Sequence, residues 1–522
     1  MKYILGQSRN QIQLFPVSLD SSIETNNVVR LFDIFADGLD VGELGFRTEF
    51  SENGRPAYHP KDLLKLFIYG YFNQVRSSRK LERECRINIE VMWLMKGLVP
   101  DHNTISNFRR DNHLAIKKVF ELTVSIAKNF NLIGGILIAG DGTKLRAQNS
   151  KKNNYNRKKI DRHKKYIDNK LNEYLEVLSE ADGDKKEEIK EKIASHKIQK
   201  ERYNALETKL EESGEKQIST SDPDSRHLIT RNNITEVCYN AQSTVDEKYK
   251  IPIDYDVTNA NDKNAMTSMV KNAITIVGNN QFDALFDKGY HNAEQIHNCH
   301  EMGIETHVAI PAPSSNAPDK AFNVSEFIYD KERDTYTCPA GQILRSNGNW
   351  YKKKSYRVKQ YKTNYCKGCE LREKCTTSKS KRLIERHEYA ESLERNKKAL
   401  EDNPELYKQR QAIVEHPFGT IKRQWGFDYI MTKRTIERAS ADVGLIFIAY
   451  NLKRLINILG FNILQEFLRK LAFLLNLLFD TPKLLYLKIS PSYIFQRNPA
   501  TNKDNCLKSL ILSRILTKKG GY

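Results

Sequence analysis

The stretch GGILIAGDGTKLRAQN, Gly134 to Asn149, decides how this chain folds. Ile136, Leu137, Ile138 and Ala139 form a short apolar run bounded by glycines, which reads as a buried strand with Asp141 at its end. Downstream, EVCYNAQSTVDEKYKIPIDYDVT (Glu236 to Thr258) gives two further strand-like segments around a Glu-Lys-Tyr-Lys centre suited to a hairpin turn. A helix is predicted from Asn264 to Val277, then a strand, FDALFDKGY, carrying Asp287. Another helix (Asn292 to Met302) and another strand, IETHVAIP, follow. After a long insertion, Ala312 to Asn403, comes the helix-like QAIVEHPFGTIKRQWGF (Gln411 to Phe427) with Glu415. Strands alternating with helices argue an α/β core with a mixed sheet.

The rest of the chain is attached to that core. Residues 1–130 read as a helical domain: KDLLKLFIYGYFNQVRSSRKLERECRINIEVMWLM sets Leu63, Leu64, Leu66, Phe67 and Tyr71 at helical spacing. PDHNTISNFRRDN (Pro100 to Asn112) opens on N-cap residues and closes on Arg109 and Arg110, a short polar helix suited to a DNA groove or backbone; a solvated helix of a packing domain is the competing reading. From Asn156 to Ser219 the composition turns to Lys and Glu. Ile160, Ile167, Leu171, Leu175 and Leu178 lie on one helical face, and after ADGDK the pattern resumes at Ile189, Ile193, Tyr203, Leu206 and Leu210. This reads as an inserted antiparallel helical hairpin at 156–219 without a catalytic role. The domains expected are therefore 1–130, a core of 131–311 and 404–462, an insertion at 312–403 and a helical tail at 463–522.

Charge narrows the partner. Lys and Arg number 84 against 65 Asp and Glu, a formal charge of +19, with a pI near 9.3. An excess of that size in a globular chain points to a polyanion, most often nucleic acid. An anionic membrane is the rival, but the most apolar region, Val443 to Leu487, is cut by Lys453, Arg454, Arg469 and Lys470. The N-terminal apolar stretch is too short for a signal peptide, so a cytoplasmic protein with reduced cysteines is expected.

Three carboxylates on separate elements are what two-metal phosphoryl transfer requires. Mg²⁺ takes oxygen ligands and keeps waters, so a few carboxylates and a substrate phosphate suffice. Two such ions about 4 Å apart activate the attacking oxygen and stabilise the leaving one. Asp141, Asp287 and Glu415 are placed for this role. Asp246, Asp254, Asp256 and Asp283 are rivals on the same reasoning, because a strand-terminal Asp also caps turns.

IAGDGTKLRAQNS, FDALFDKGYHNAEQI and VEHPFGTIKRQWGF, in that order, resemble the three catalytic blocks of bacterial insertion-sequence transposases with a DDE motif in a ribonuclease H-like domain. Insertion-sequence family 1182 is the match named. The N-terminal YHPKDLLKLFIYGYFNQVRSSRKLERE with PDHNTISNFRR is similar to the helical domain of that group and of InsH-type transposases. The resemblance covers about residues 30 to 455. It implies that Asp141, Asp287 and Glu415 are the catalytic, metal-binding acids for two Mg²⁺ or Mn²⁺ ions. It also implies a Tyr-Arg-Glu-Lys signature on Tyr407, Arg410, Glu415 and Lys422, although four residues separate Arg410 from Glu415 where the related pattern has three. Seven residues is nearly two helical turns, so Glu415 and Lys422 are expected on one face, with Lys422 and Arg410 toward DNA; Pro417 and Gly419 allow a bend. The implied activity is cleavage at terminal inverted repeats and joining of the 3′-hydroxyl ends to target DNA, by at least a homodimer on DNA. The alternatives are a nuclease that cuts without joining and an inactive DNA-binding regulator.

Cysteines form one further group. Cys338 lies in YTCPAGQ, and Cys366, Cys369 and Cys375 in YCKGCELREKC. A Cys-x₂-Cys pair with two more nearby suits a structural zinc site; four ordinary reduced thiols in a small β-rich insertion is the other reading. Between them NWYKKKSYRVKQYK (Asn349 to Lys362) mixes aromatics with bases, as a DNA-contacting strand pair or a solvated hairpin would. Cys85, Cys238, Cys299 and Cys506 are scattered and read as structural. Trp425 and Phe427 are expected to pack in the core.

Overall fold

The computed structural model describes residues 18–48, 56–180, 182–230, 234–312, 317–378 and 381–479. Thirteen strands occur among them: β1 (Leu137–Arg146), β2 (Asn154–Asn156), β3 (Gln217–Ser219), β4 (Arg226–Ile229), β5 (Thr235–Asp246), β6 (Pro252–Thr258), β7 (Asp283–Phe286), β8 (Glu305–Val308), β9 (Ile328–Asp330), β10 (Thr335–Thr337), β11 (Ile343–Lys352), β12 (Arg357–Lys362) and β13 (Ile384–His387). The principal sheet runs β4-β5-β1-β7-β8, with β6 on β5. It is mixed: β1, β7 and β8 pair in parallel, whereas β4, β5 and β6 pair antiparallel. The chain forms two compact units, one of Met1–Gly134, Gly142–Asn261 and Glu415–Tyr522, the other of Gly135–Asp141 and Asp262–Val414. β1 is covalently part of both.

In the first unit the N-terminal region is helical, as its periodicity predicts. The helix Pro60–Phe72 buries Leu63, Leu64, Leu66, Phe67 and Tyr71, with Pro60 in its first turn, where a missing N–H costs nothing. The helix Ile436–Leu459 is buried almost all round from Ala439 to Leu452, and Gly444 lets it close on Tyr255 and Ile116: a Cβ there would stand 2.3 Å from the Tyr255 hydroxyl. The last described helix, Phe461–Phe479, packs Phe467 on Phe130 and Ala472 beside Gly38, so it lies against the N-terminal helices rather than the sheet. The remainder of the tail expected at 463–522 lies outside the described residues. No single described helix is long and apolar enough to cross a membrane.

The Lys- and Glu-rich segment forms two helices, Arg157–Glu180 and Asp184–Ser213. Ion pairs Arg157–Glu211, Lys164–Glu207 and Lys200–Asp168 step in opposite senses along the two helices, which fixes them as antiparallel. Tyr155, Ile160, Leu206 and Leu210 form a small core at the base, where β2 pairs with β3 from Asn154↔Ser219 to Asn156↔Gln217.

In the second unit, β7 and β8 are followed or preceded by the helices Met266–Val277 and Ala293–Glu301, and the helix Ala390–Asp402 covers β8. Buried Asn396 fastens that helix to the strand: its amide donates to Val308 O at 2.9 Å and accepts from Val308 N at 2.8 Å. The insertion is an antiparallel sheet, β13-β12-β11-β10-β9, around Phe327, Tyr336, Leu344, Tyr361 and Ile384.

Candidate active site

The carboxylate constellation begins with a close approach. Gly140 precedes Asp141 on β1, and a Cβ at Gly140 would stand 2.0 Å from the Phe286 ring at the end of β7. Only glycine allows β1 and β7 to sit in register with that ring between them, and the register sets Asp141 beyond the last paired residue, Ala139↔Leu285. Asp287 follows Phe286 directly. It caps a single 3₁₀ turn, Lys288–Tyr290, accepting from Gly289 N at 2.8 Å.

Two residues that sequence reasoning passed over join these acids. Asp262 opens a short turn, Asp262–Asn264, after β6, and its Oδ2 lies 3.5 Å from where a Gly289 Cβ would be, a point 2.9 Å from Asp287 Oδ1. Tyr290 is fully buried, its ring 4.9 Å from Phe286. Burial holds its phenol protonated far above the usual range; the charges of Asp262, Asp141 and Asp287 reinforce this and Arg410 opposes it. One buried hydroxyl thus senses three carboxylates and one guanidinium. The only sequence signal for Asp262 was another acid shortly after a strand, the same signal that the rivals carry.

Those rivals are engaged elsewhere. Asp246 is buried and accepts from Gly134 N and Lys248 N, and Asp254 pairs with Lys117 at 2.5 Å. Asp283 holds His307 at 3.1 Å, and burial raises the carboxyl of Asp256.

Arg410 and Glu415 share the helix Pro404–Gly419. Arg410 Nη1 stands 3.7 Å from Asp141 Oδ2, with side-chain exposures of 17% and 27%. Nη1 is itself buried and makes no hydrogen bond among the described residues. This places Arg410 against Asp141. Glu415 lies five residues on and is exposed, between buried Val414 and Pro417. Beyond Gly419 the helix widens into a π-helical turn, Thr420–Gln424, where Thr420 Oγ1 donates to His416 O. Pro417, inside the preceding helix, has no N–H to give to the carbonyl of Ile413, so the helix already lacks one hydrogen bond before this turn. Lys422 Nζ donates to Lys144 O on β1 at 3.2 Å. Trp425 and Phe427 are buried and stack edge-on 5.5 Å apart, a packing role.

Arg109 requires a correction. Expected on a DNA-facing helix surface, it is 3% exposed, and its Nη1 donates to Tyr71 Oη and Arg76 O and lies 3.6 Å from Asp442. The helix His102–Asp111 is capped by Asp101 and buries Ile105, Phe108 and Arg109 together. A long side chain with a buried ion partner is drawn inward even from a polar helix. Arg110 remains at the surface, paired with Asp111.

In the insertion, Cys338, Cys366, Cys369 and Cys375 all line one cavity of about 40 Å³, and Gln342 N donates to Cys338 Sγ at 3.3 Å. Burial raises the Cys375 thiol. As they stand, no three His, Cys, Asp or Glu side chains among the described residues are grouped so as to hold a metal ion, here or at the acids. The other described cysteines are buried, which pushes Cys85 and Cys238 up to about 11 and Cys299 to about 12, so they are inert thiols. Cys506 lies outside the described residues.

Comparison with known proteins adds two matches. Residues 17–111 match a transposase domain (DUF772), and residues 337–456 match a transposase DDE domain. The second spans Arg410, Glu415 and Lys422 and begins after Asp141 and Asp287. No curated protein and no solved structure matches the chain. The two matches support a DDE transposase, an enzyme acting on DNA.

Proposed function

We propose that the chain is a DNA transposase of the insertion-sequence family 1182 kind, with a ribonuclease H-like core, that cuts at terminal inverted repeats and joins the freed 3′ ends to target DNA. The observation that carries this reading is the DDE-domain match across Arg410, Glu415 and Lys422, on a helix whose Arg410 lies against Asp141. Asp141, Asp287 and Glu415 would hold the divalent ions. Their chemistry suits Mg²⁺: they are carboxylate oxygens, and Asp141 and Asp287 are partly exposed and so reachable by a phosphate. Bound ions supply charge neutralisation of the phosphate and a more acidic attacking water. A full ion shell is expected only with DNA present, because a phosphate completes it.

The chain's own residues position and neutralise. Arg410, near Asp141 and with an Nη1 that makes no hydrogen bond among the described residues, would donate to a phosphate oxygen, and Lys422 would meet the DNA backbone. In the first step a water oxygen bonds to phosphorus as the 3′ oxygen leaves with a proton. In the second that 3′ oxygen attacks a target phosphodiester and displaces another 3′ oxygen. No covalent enzyme intermediate arises, so no Ser or Tyr nucleophile is required.

The test pairs purified protein with labelled DNA carrying the repeats that flank its gene, a target plasmid and Mg²⁺. Glu415→Gln should abolish end cleavage and joining, by about 10³-fold or more, while DNA binding persists. Cleavage without joining in the wild type would leave a nuclease; binding without chemistry in either protein would leave a regulator.

The cysteine cavity is assigned, on the same terms, to one structural zinc. Four thiols on one small cavity are the correct donor type, and they would have to draw in to Zn–S distances near 2.3 Å. Full-length protein should then carry close to one zinc per chain, and Cys366→Ser should lose it; equal zinc content in both would remove the assignment.

A further inference from the structure

The β11–β12 hairpin is built unlike the rest of its sheet. From Asn347 to Lys352 every residue of β11 is exposed, so this end of the strand stands clear of the core that holds Leu344 and Tyr361. A register shift between Ser346 and Trp350 marks where it departs. Beyond the shift Trp350 faces Lys359 and Lys352 faces Arg357. Alternation along each strand puts all four side chains on one face. Trp350 is 44% exposed, with Lys359 Nζ 5.3 Å and the Arg357 guanidinium 5.9 Å from its ring centre. Tyr351 and Tyr356 are also exposed at the tip.

The charge is one-sided. Between Ile343 and Lys362 there are seven basic residues and no acidic one. Lys353, Arg357 and Lys359 are paired with Glu385, Glu388 and Asp334. Arg345, Lys352, Lys354 and Lys362 make no ion pair among the described residues. Surface hairpins whose only task is solubility mix both signs, because like charges packed together repel. The indole takes Lys359 and Arg357 on its ring and Tyr356 stacks on His387, yet Trp350, Tyr351 and Tyr356 all keep a large part of their ring surface exposed to water. A polyanion with flat rings of its own satisfies both features, the phosphates by counterion release and the bases by stacking.

We propose that the tip of this hairpin is a DNA-contacting surface in which Lys352 and Lys354 meet phosphates and Trp350 stacks on unpaired bases. This deepens the transposase reading and rests on it. It adds a DNA contact on the insertion.

Binding is measured by fluorescence anisotropy with full-length protein and no divalent metal, so that chemistry does not intervene. The probes are an intact duplex and the same duplex with a short unpaired gap, each across a range of salt. Lys352→Gln with Lys354→Gln should weaken binding to both probes and flatten the slope of log affinity against log salt by about 2, roughly 0.9 for each phosphate contact. Trp350→Ala should weaken binding to the gapped probe about fivefold to a hundredfold and leave the intact duplex nearly unchanged. Unfolding midpoints should not move, since the residues altered are exposed. Unchanged slope and unchanged gap preference would overturn the proposal, as would variants that alter only self-association. Failure of the wild type to bind either probe is a different outcome, and would count against the transposase reading itself.

Discussion

Two clusters in this molecule use the same three residue types in opposite proportion. Around Asp442, two arginines face one carboxylate: Arg76 at 2.8 Å and Arg109 at 3.6 Å, with the Tyr71 hydroxyl donating to the same carboxylate and Met431 N to its second oxygen. All four side chains are buried. Around Tyr290, three carboxylates face one arginine, and the acids are partly open to solvent. The first cluster is closed on itself, and it ties the helices bearing Tyr71 and Arg109 to the helix Ile436–Leu459. The second gathers more acids than bases at a place that solvent can reach. The same chemistry thus makes a clamp in one place and, on the function proposed above, a receptor in the other; the ratio of acids to bases, with the depth of burial, is what differs.

Breaking the clamp should have the largest effect on stability. Asp442→Ala leaves Arg76 and Arg109 buried without their anion, and should cost about 3–5 kcal/mol in denaturant unfolding. The pH dependence has a definite sign. Both arginines hold the Asp442 carboxyl below its ordinary value against the opposing effect of burial. Its contribution is therefore fully present above about pH 4, the unfolded carboxylate value, and is lost as pH falls through the folded value. Wild type and Asp442→Ala should converge in stability under acid; a constant gap from pH 7 to pH 3 would contradict the clamp.

At the receptor, Gly140→Ala forces a methyl into the Phe286 ring. It should cost about 1–3 kcal/mol and reduce cleavage, because the strand that carries Asp141 must shift. The smallest effect sharpens the contrast most. Asp141→Asn removes one of three like charges and should raise stability in metal-free buffer by about 0.5 kcal/mol while abolishing activity. If Asp141→Asn instead destabilised as Asp442→Ala does, the two clusters would be the same kind of device.

Much of the architecture was legible from the sequence. Ile136 to Ala139 is short, apolar and glycine-bounded, and β1 with Asp141 lies there. Ile160, Ile167, Leu206 and Leu210 carry a helical period, and the two long helices follow it. What was not legible depends on partners far away in the chain. Arg109 reads as a surface base until Asp442, over three hundred residues later, draws it inward. Asp262 looks like its rivals Asp246 and Asp283, because only the folded positions of Gly289 and Tyr290 set it apart. The π-helical turn at Thr420–Gln424 had no signal in the sequence; Pro417 and Gly419 announced only that a bend was allowed.

The inserted helical pair has a practical corollary. The chain leaves at Asn156 and returns at Gln217, and those two residues are Cα partners in a strand pair. The core therefore sees neighbouring attachment points, whatever lies between them. Replacing Arg157 to Lys216 by a two-residue turn would shorten the closed loop and lower its closure entropy without stretching either neighbour. The same position is where a reporter domain whose own termini lie close together can be spliced in with the sheet undisturbed.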